Sequence, residues 1–362
     1  MRACGEVLLA LYLGVGIGAA SACSSHTAPP RGLDASVVPP DAPPACACEP
    51  GPHTDRIFLM SDEGELWQWD PRTHEASFVF GPVCAGATPY SMAIDGRGTA
   101  WVLMAESLSM QSFDVATPGP CRDSGYVRTD MRFGLFGMAF AARSATDACA
   151  DLFVHTYDGD GPFSEGPSAG MLGVIDPSSL AVRALAPIDF DGGELSGTGD
   201  GRLYAFAGVD PVKLIRYDRE SGAELDRIPL DGFRKTNASA LAFFGGDLYV
   251  FTEAPPPRCA ECFESSCGAA YAACIADRAC AEDLACAIDQ GDVTDSCGGA
   301  AFTALMECWS TCGSSCIVSA SSRTSEVHRF DLDGTRTLEL VGPVPIRVVG
   351  AASSPCVPYG PI

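Results

Sequence analysis

Cysteines and clustered carboxylates are the side chains through which this chain could do chemistry. It carries eighteen cysteines, ten of them between Cys259 and Cys316. They run as C-x2-C-x4-C (Cys259, Cys262, Cys267), C-x5-C-x5-C (Cys274, Cys280, Cys286), Cys297, and C-x3-C-x3-C (Cys308, Cys312, Cys316). Thiols at this density either cross-link a small helical unit or capture a soft metal. Cys259 and Cys262 have the spacing of half a zinc site. No later pair repeats it and no histidine falls inside the stretch, so disulfides are the favoured reading.

Carboxylates gather in two loops, Asp158, Asp160 and Glu165 in one, Asp189 and Asp191 in the other. Clustered oxygens suit calcium, and the longer loop (Asp158, Asp160, Glu165) is the candidate ligand or cation site. Neither loop follows the EF-hand spacing, and Asp-Gly turn chemistry is the simpler account. Asp95 and Glu194 fall near the ends of apparent inner strands, and two carboxylates facing each other at ~5 to 10 Å would suit glycoside hydrolysis. His26, His53, His74, His155 and His328 are scattered. His155 and His328 lie in apparent strands and read as structural. No G-x-S-x-G or H-E-x-x-H motif appears, so no catalytic or metal-ligating set is assigned.

Forty-six acidic against twenty-three basic residues give a formal charge of -23. Such a balance repels phosphate backbones and anionic headgroups, which argues against nucleic-acid partners and electrostatic membrane docking. At the N-terminus, Arg2 precedes an apolar run from Val7 to Ile17 that is too short to span a bilayer, followed by Ala20-Ser21-Ala22-Cys23. This reads as an export signal. The segment resembles a bacterial lipobox, which implies lipid modification of Cys23. Ser24 rather than Asp after it implies retention in an outer membrane. Plain secretion, with Cys23 an odd thiol, is the alternative. Setting aside Cys4 and Cys23 leaves an even number of cysteines, as bridges in an oxidising compartment require.

The elements that would position these groups follow from the chain's organisation. Residues 1–22 read as signal and 23–54 as a Pro-rich tether, extended at ~3.1 Å per residue. At least one of Cys46 and Cys48 is expected to staple it to the domain. From Asp55 the pattern becomes short β-rich runs broken by Gly, Asp and Pro. Four full repeats of strand, turn, strand, strand begin near Ser91, Gly137, Glu194 and Ala240. Met92 to Met138 and Leu195 to Leu241 are each forty-six residues apart, close to the ~40 to 50 residue period of propeller blades. The unit at Ile57 to Phe80 lacks a first strand, whereas Arg347 to Ala352 has inner-strand character with no unit of its own. The expected fold is therefore an all-β, five-bladed propeller closed by the C-terminal strand, leaving no free edge. A six-bladed ring, with a unit hidden in Asp158 to Gly170 or the linker, ranks second. The propeller is assigned to 55–254 and 325–362.

Residues 255–324 interrupt the last repeat with an Ala-rich, helix-favouring grammar. Cys267 and Cys274 are expected on one helix face, as are Cys308 and Cys312. About five disulfides would compensate for a core too small to hold itself. The cysteine runs resemble those of helical inserts in putative lipoproteins of myxobacteria, a resemblance that brings no activity with it. The insert and the Tyr157 to Gly170 loop occupy the same slot in their repeats, so both should crown one face of the ring, where loops on a rigid scaffold commonly bind. The functional expectation is a monomeric, lipid-anchored binding protein at the outer membrane, facing a protein, peptide or glycan. An exported hydrolase of saccharides or lactones comes second, and a structural envelope component third.

Overall fold

The computed structural model describes residues 46–361 apart from 85–87, 159–163, 209–210, 232, 234–235, 237, 255–256, 291–301 and 317–322. The chain divides into Met1–Pro44 and Ala45–Ile362, and the following concerns the second unit. Cys23, Asp160 and Cys297 lie outside the described residues.

Five four-stranded antiparallel sheets form the blades of a β-propeller. The first blade contains β1 (Ile57–Ser61), β2 (Leu66–Asp70) and β3 (Glu75–Phe80). The second runs β4 (Pro89–Ile94), β5 (Thr99–Met104), β6 (Met110–Asp114) and β7 (Arg122–Asp123). The third runs β8 (Leu135–Ser144), β9 (Asp147–Tyr157), β10 (Glu165–Ile175) and β11 (Val182–Phe190). The fourth runs β12 (Glu194–Gly197), β13 (Leu203–Ala207), β14 (Lys213–Tyr217) and β15 (Glu224–Pro229), and the fifth β16 (Ser239–Phe244), β17 (Asp247–Glu253), β18 (Ser325–Asp331) and β19 (Leu338–Val344). The last strand, β20 (Val348–Ala352), returns to the first blade and pairs antiparallel with β1, Phe58 opposite Ala352 and Leu59 opposite Ala351. The inner strands β20, β4, β8, β12 and β16 touch in a closed circle.

Burial follows distance from the axis. Inner strands pack on both faces and read as continuous apolar runs: all six residues of β16, Ser-Ala-Leu-Ala-Phe-Phe, are buried. Outer strands such as β15, Glu-Leu-Asp-Arg-Ile-Pro, are largely exposed. Between blades, large side chains interlock. Trp69 of the first blade lies edge-on to Tyr249 and Phe251 of the fifth, at centroid distances of 5.0 and 5.8 Å. Nearer the axis the backbones crowd. A Cβ on Gly137 would meet the Gly193 oxygen at 2.2 Å, and one on Gly197 the Phe140 oxygen at 2.2 Å, so only glycine allows the inner strands to approach.

In each blade an aspartate ends or directly follows the third strand: Asp70, Asp114, Asp176, Asp218 and Asp331. Each carboxylate accepts backbone N–H groups of the following hairpin. Asp114 Oδ1 takes Ala116 and Thr117, Asp176 Oδ1 takes Ser178 and Ser179, and Asp331 takes Gly334 and Thr335. Asp218 Oδ1 likewise accepts from Ser221 at 2.8 Å, and Asp70 Oδ1 from Arg72 at 2.9 Å. Part of the chain's acidity is thus turn chemistry.

The insert has its own core. It comprises α1 (Pro257–Ala276), α2 (Arg278–Gln290), a 3-10 turn (Phe302–Leu305) and α3 (Met306–Cys316). Disulfides Cys259–Cys316, Cys262–Cys312 and Cys267–Cys308 tie α1 to the antiparallel α3, and Cys274–Cys280 closes the corner between α1 and α2. Cys286 is also disulfide-bonded. Phe263, Phe302 and Leu305 are fully buried among these bridges. Cys308 and Cys312 share a helix face as their four-residue spacing requires, whereas Cys267 and Cys274 do not act as one. The backbone leaves helical geometry at Cys267 (φ -150°, ψ 34°), and the two cysteines bond different elements.

Candidate binding face and the axial channel

The ring has two unlike faces. One carries the turns joining first to second and third to fourth strands. The other carries the turns joining second to third strands and the connectors between blades. On this connector face, turn and connector are bonded together in successive blades: Ala105 N–H donates to Thr88 O (2.9 Å), Gly192 N–H to Thr156 O (3.0 Å) and Asp62 N–H to Arg347 O (3.2 Å).

The hairpin face is crossed by the chain's tail. After β20 the tail crosses it, with Ser354 Oγ donating to Asp95 O (2.9 Å), Gly245 N–H donating to Pro358 O (2.8 Å), and Pro355 O lying so close to Gly199 that a Cβ there would meet it at 2.4 Å. Both N-terminal cysteines are fastened on the same side, Cys46 to Cys149 near the β8–β9 turn and Cys48 to Cys356 in the tail. Thus both staple the entering chain, where at least one was expected to. Every described cysteine is disulfide-bonded, the mark of maturation in an oxidising, extracytoplasmic compartment. Among the described residues no helix is long and apolar enough to cross a membrane.

The axis is closed. Met92, Met138, Leu195, Leu241 and Ala351 converge from all five inner strands around a void of about 10 Å³, room for roughly one water. Asp95 and Glu194 do not face each other. Asp95 follows the hairpin-face end of β4, where its Oδ1 accepts from the Arg97 and Thr99 amides at 2.9 Å. Glu194 begins β12 at the connector face. The paired carboxylates of a glycosidase do not form here.

Polar and titratable groups collect instead on the connector face. Arg347 Nε donates to Glu253 Oε2 (3.2 Å) and Arg347 Nη1 lies 3.7 Å from Asp62, while Arg323 reaches Glu253 at 3.6 Å. Glu253 and Arg323 stand at the two roots of the insert. Burial raises the Asp62 carboxyl above its ordinary range, opposed by Arg347 and Arg323. Across the mouth, Tyr90 and Tyr157 stack at 6.1 Å, and burial, aided by Glu194, Tyr157 and Asp191, pushes the Tyr90 phenol well up. Asp191, buried, has its pKa raised to about 7 by desolvation first and the neighbouring Asp158 second.

The described carboxylates of the two acidic loops each meet a neighbouring side chain. Glu165 Oε2 accepts from Lys213 Nζ of the next blade (3.0 Å), Asp158 adjoins Asp191, and Asp189 Oδ2 accepts from Arg227 (3.2 Å). Among the described residues no three His, Cys, Asp or Glu side chains gather as metal ligands would. The described residues of the segment expected as a loop to Gly170 are mostly strand. β10 starts at Glu165 and pairs there with β11, Glu165 opposite Phe190, whereas its pairing with β9 begins only at Leu172. His155 is fully buried, its Nδ1 accepting from Gly193 N–H (3.2 Å), and His328 lies edge-on to Phe233 at 4.9 Å. Sequence reasoning missed the Asp191 environment and the crossing tail. Neither carries a periodic signal.

No protein-family model matches the chain, and no curated protein sequence matches it. Solved structures of similar outline include a chain of a nidogen/laminin complex (TM-score 0.40, 11% identity, covering 82% of this chain and 97% of that one). The hydrazine synthase of Kuenenia stuttgartiensis gives TM-score 0.35 and 14% identity over 79% of this chain and 65% of that one. A protein of unknown function from Bacteroides caccae gives 0.38 and 9% over 82% and 98%.

Proposed function

We propose that this chain is an extracytoplasmic binding protein whose connector face engages a protein, peptide or glycan. One observation carries the reading. The axis is filled by apolar side chains and the tail crosses the hairpin face, whereas the connector face bears the helical insert and the β9–β10 hairpin. The described chain enters at the opposite face, through Cys46 and Cys48. With lipid on Cys23 and the residues up to Cys46 as spacer, the protein would stand on the outer side of a bacterial membrane, in the outer membrane by the lipobox resemblance, as a monomer.

An exported hydrolase of saccharides or lactones is the second reading, although Asp191, the carboxyl raised by burial beside Asp158, is 1% exposed and so closed to a substrate. Glycan and peptide arrays probed with the purified Cys23→Ser chain separate the two. Binding without turnover supports the first reading, product release supports the second, and uniformly blank arrays overturn the first.

A further inference from the structure

We propose that Asp158 and Asp191 form a proton-sharing latch that fastens the base of the β9–β10 hairpin to the connector entering the fourth blade, and releases it when both carboxyls ionise. The stretch Asp191–Gly193 is nailed to both arms of that hairpin. Asp191 N–H donates to Ser164 O (3.0 Å), Gly192 N–H to Thr156 O (3.0 Å) and Gly193 N–H to His155 Nδ1 (3.2 Å), while Thr156 Oγ1 accepts from Met171 N–H (2.8 Å). At the centre of this clamp, Asp191 is 1% exposed and its Oδ2 meets no donor. The neighbouring carboxyl of Asp158 lies within hydrogen-bond reach of it. Two carboxylates cannot bond to each other; one proton between them supplies the missing donor.

The groups around the pair leave that proton in place. From β9 and its end come His155, Tyr157 and Asp158, from β4 Tyr90, and from β12 Glu194. No cation is among the influences on Asp191, and those paired with neighbouring carboxylates are engaged there, Lys213 with Glu165 and Arg227 with Asp189 and Glu224. The influences on Asp191 are burial and Asp158, which raise it, and the amides of Asp158 and Gly192, which lower it without cancelling the rise. Closed, Asp191 keeps its proton up to about pH 7; open, its carboxyl is an ordinary acid near pKa ~3.9. Rising pH between those limits therefore favours opening, and above the upper one adds nothing further. The latch stands independently of any ligand.

Hydrogen exchange of the whole chain, read by mass spectrometry on peptides covering 152–158 and 188–194 and corrected for the intrinsic pH dependence, tests it. Protection is expected to fall by roughly ten-fold per pH unit between about pH 5 and about pH 7 and then level off. In Asp191→Asn or Asp158→Asn an amide donates permanently to the remaining carboxylate, so protection should stay flat with pH; either variant suffices if the other does not fold. A flat wild-type profile, or an unchanged slope in a folded variant, overturns the latch. So does restoration of protection by calcium chloride at about pH 8, which would make the pair a cation site.

Discussion

Cys48 and Cys356 are bonded to each other across a sequence separation of 308 residues. The bridge joins the segment before β1 to the tail after β20, and these two strands pair with each other, so the ring is shut twice, by main-chain hydrogen bonds and by a covalent link. A cross-link over so long a loop restricts the unfolded chain strongly. Replacing both cysteines by serine is expected to lower stability by about 2 to 4 kcal/mol, with the fold retained. Denaturant titration of the variant checks this, and an unchanged midpoint would show that the seam holds without the bridge.

Interlocking between blades is expected to dominate stability. Trp69 fills the gap between the first and fifth blades against Tyr249 and Phe251 and is 1% exposed. Trp69→Ala should cost about 3 to 5 kcal/mol. Because the seam blade is the one affected, the midpoint of the whole propeller should move.

The turn aspartates give an acid-side signature. Hydrogen bonds from Ser178 and then the Ser179 amide hold Asp176 down at about 2, below its ordinary value. Its contribution is therefore complete above the unfolded pKa and disappears as pH falls through the folded one. The site is exposed, so solvent screening keeps the contribution small, below about 1 kcal/mol. Asp176→Asn should remove that pH dependence while leaving neutral-pH stability within the same margin, measured by denaturant titrations at neutral and strongly acidic pH.

The insert should fail separately from the ring. Phe263 packs with Phe302, Leu305 and Trp309 inside a cluster made wholly of insert residues. Phe263→Ala is expected to destabilise that cluster by about 3 kcal/mol or more, with loss of helical circular dichroism preceding unfolding of the strands. A single coincident transition would contradict independent cores.

The ring was legible because its signals are local and repeated. Runs such as Arg202 to Phe206 and Asp247 to Phe251 recur at blade spacing, and the incomplete unit at Ile57 pointed to the spare strand at Val348. What escaped was long-range or aperiodic. The aspartates at 70, 114, 176, 218 and 331 are visible in the sequence as a recurring apolar residue followed by Asp, but their role as hairpin anchors depends on hydrogen bonds to the backbone. Residues 353–361 have no period, and their use depends on contacts with Asp95, Gly199 and Gly245 from three different blades. Asp158 and Asp191 meet only because β10 and β11 run past the end of β9. The break at Cys267 falls at the residue bridged to Cys308, a long-range pairing that helical spacing alone does not anticipate.

The central claim, that one face binds, is tested most directly by reversing charge on each face separately and measuring affinity for the strongest array ligand. Glu63→Lys and Glu106→Lys alter exposed turns on the connector face, and Arg97→Glu and Asp333→Lys alter hairpin-face turns. The connector-face pair should change the dissociation constant by about ten-fold or more, and the hairpin-face pair by less than about two-fold. Equal effects from both pairs, or a larger effect from the hairpin face, would contradict the account.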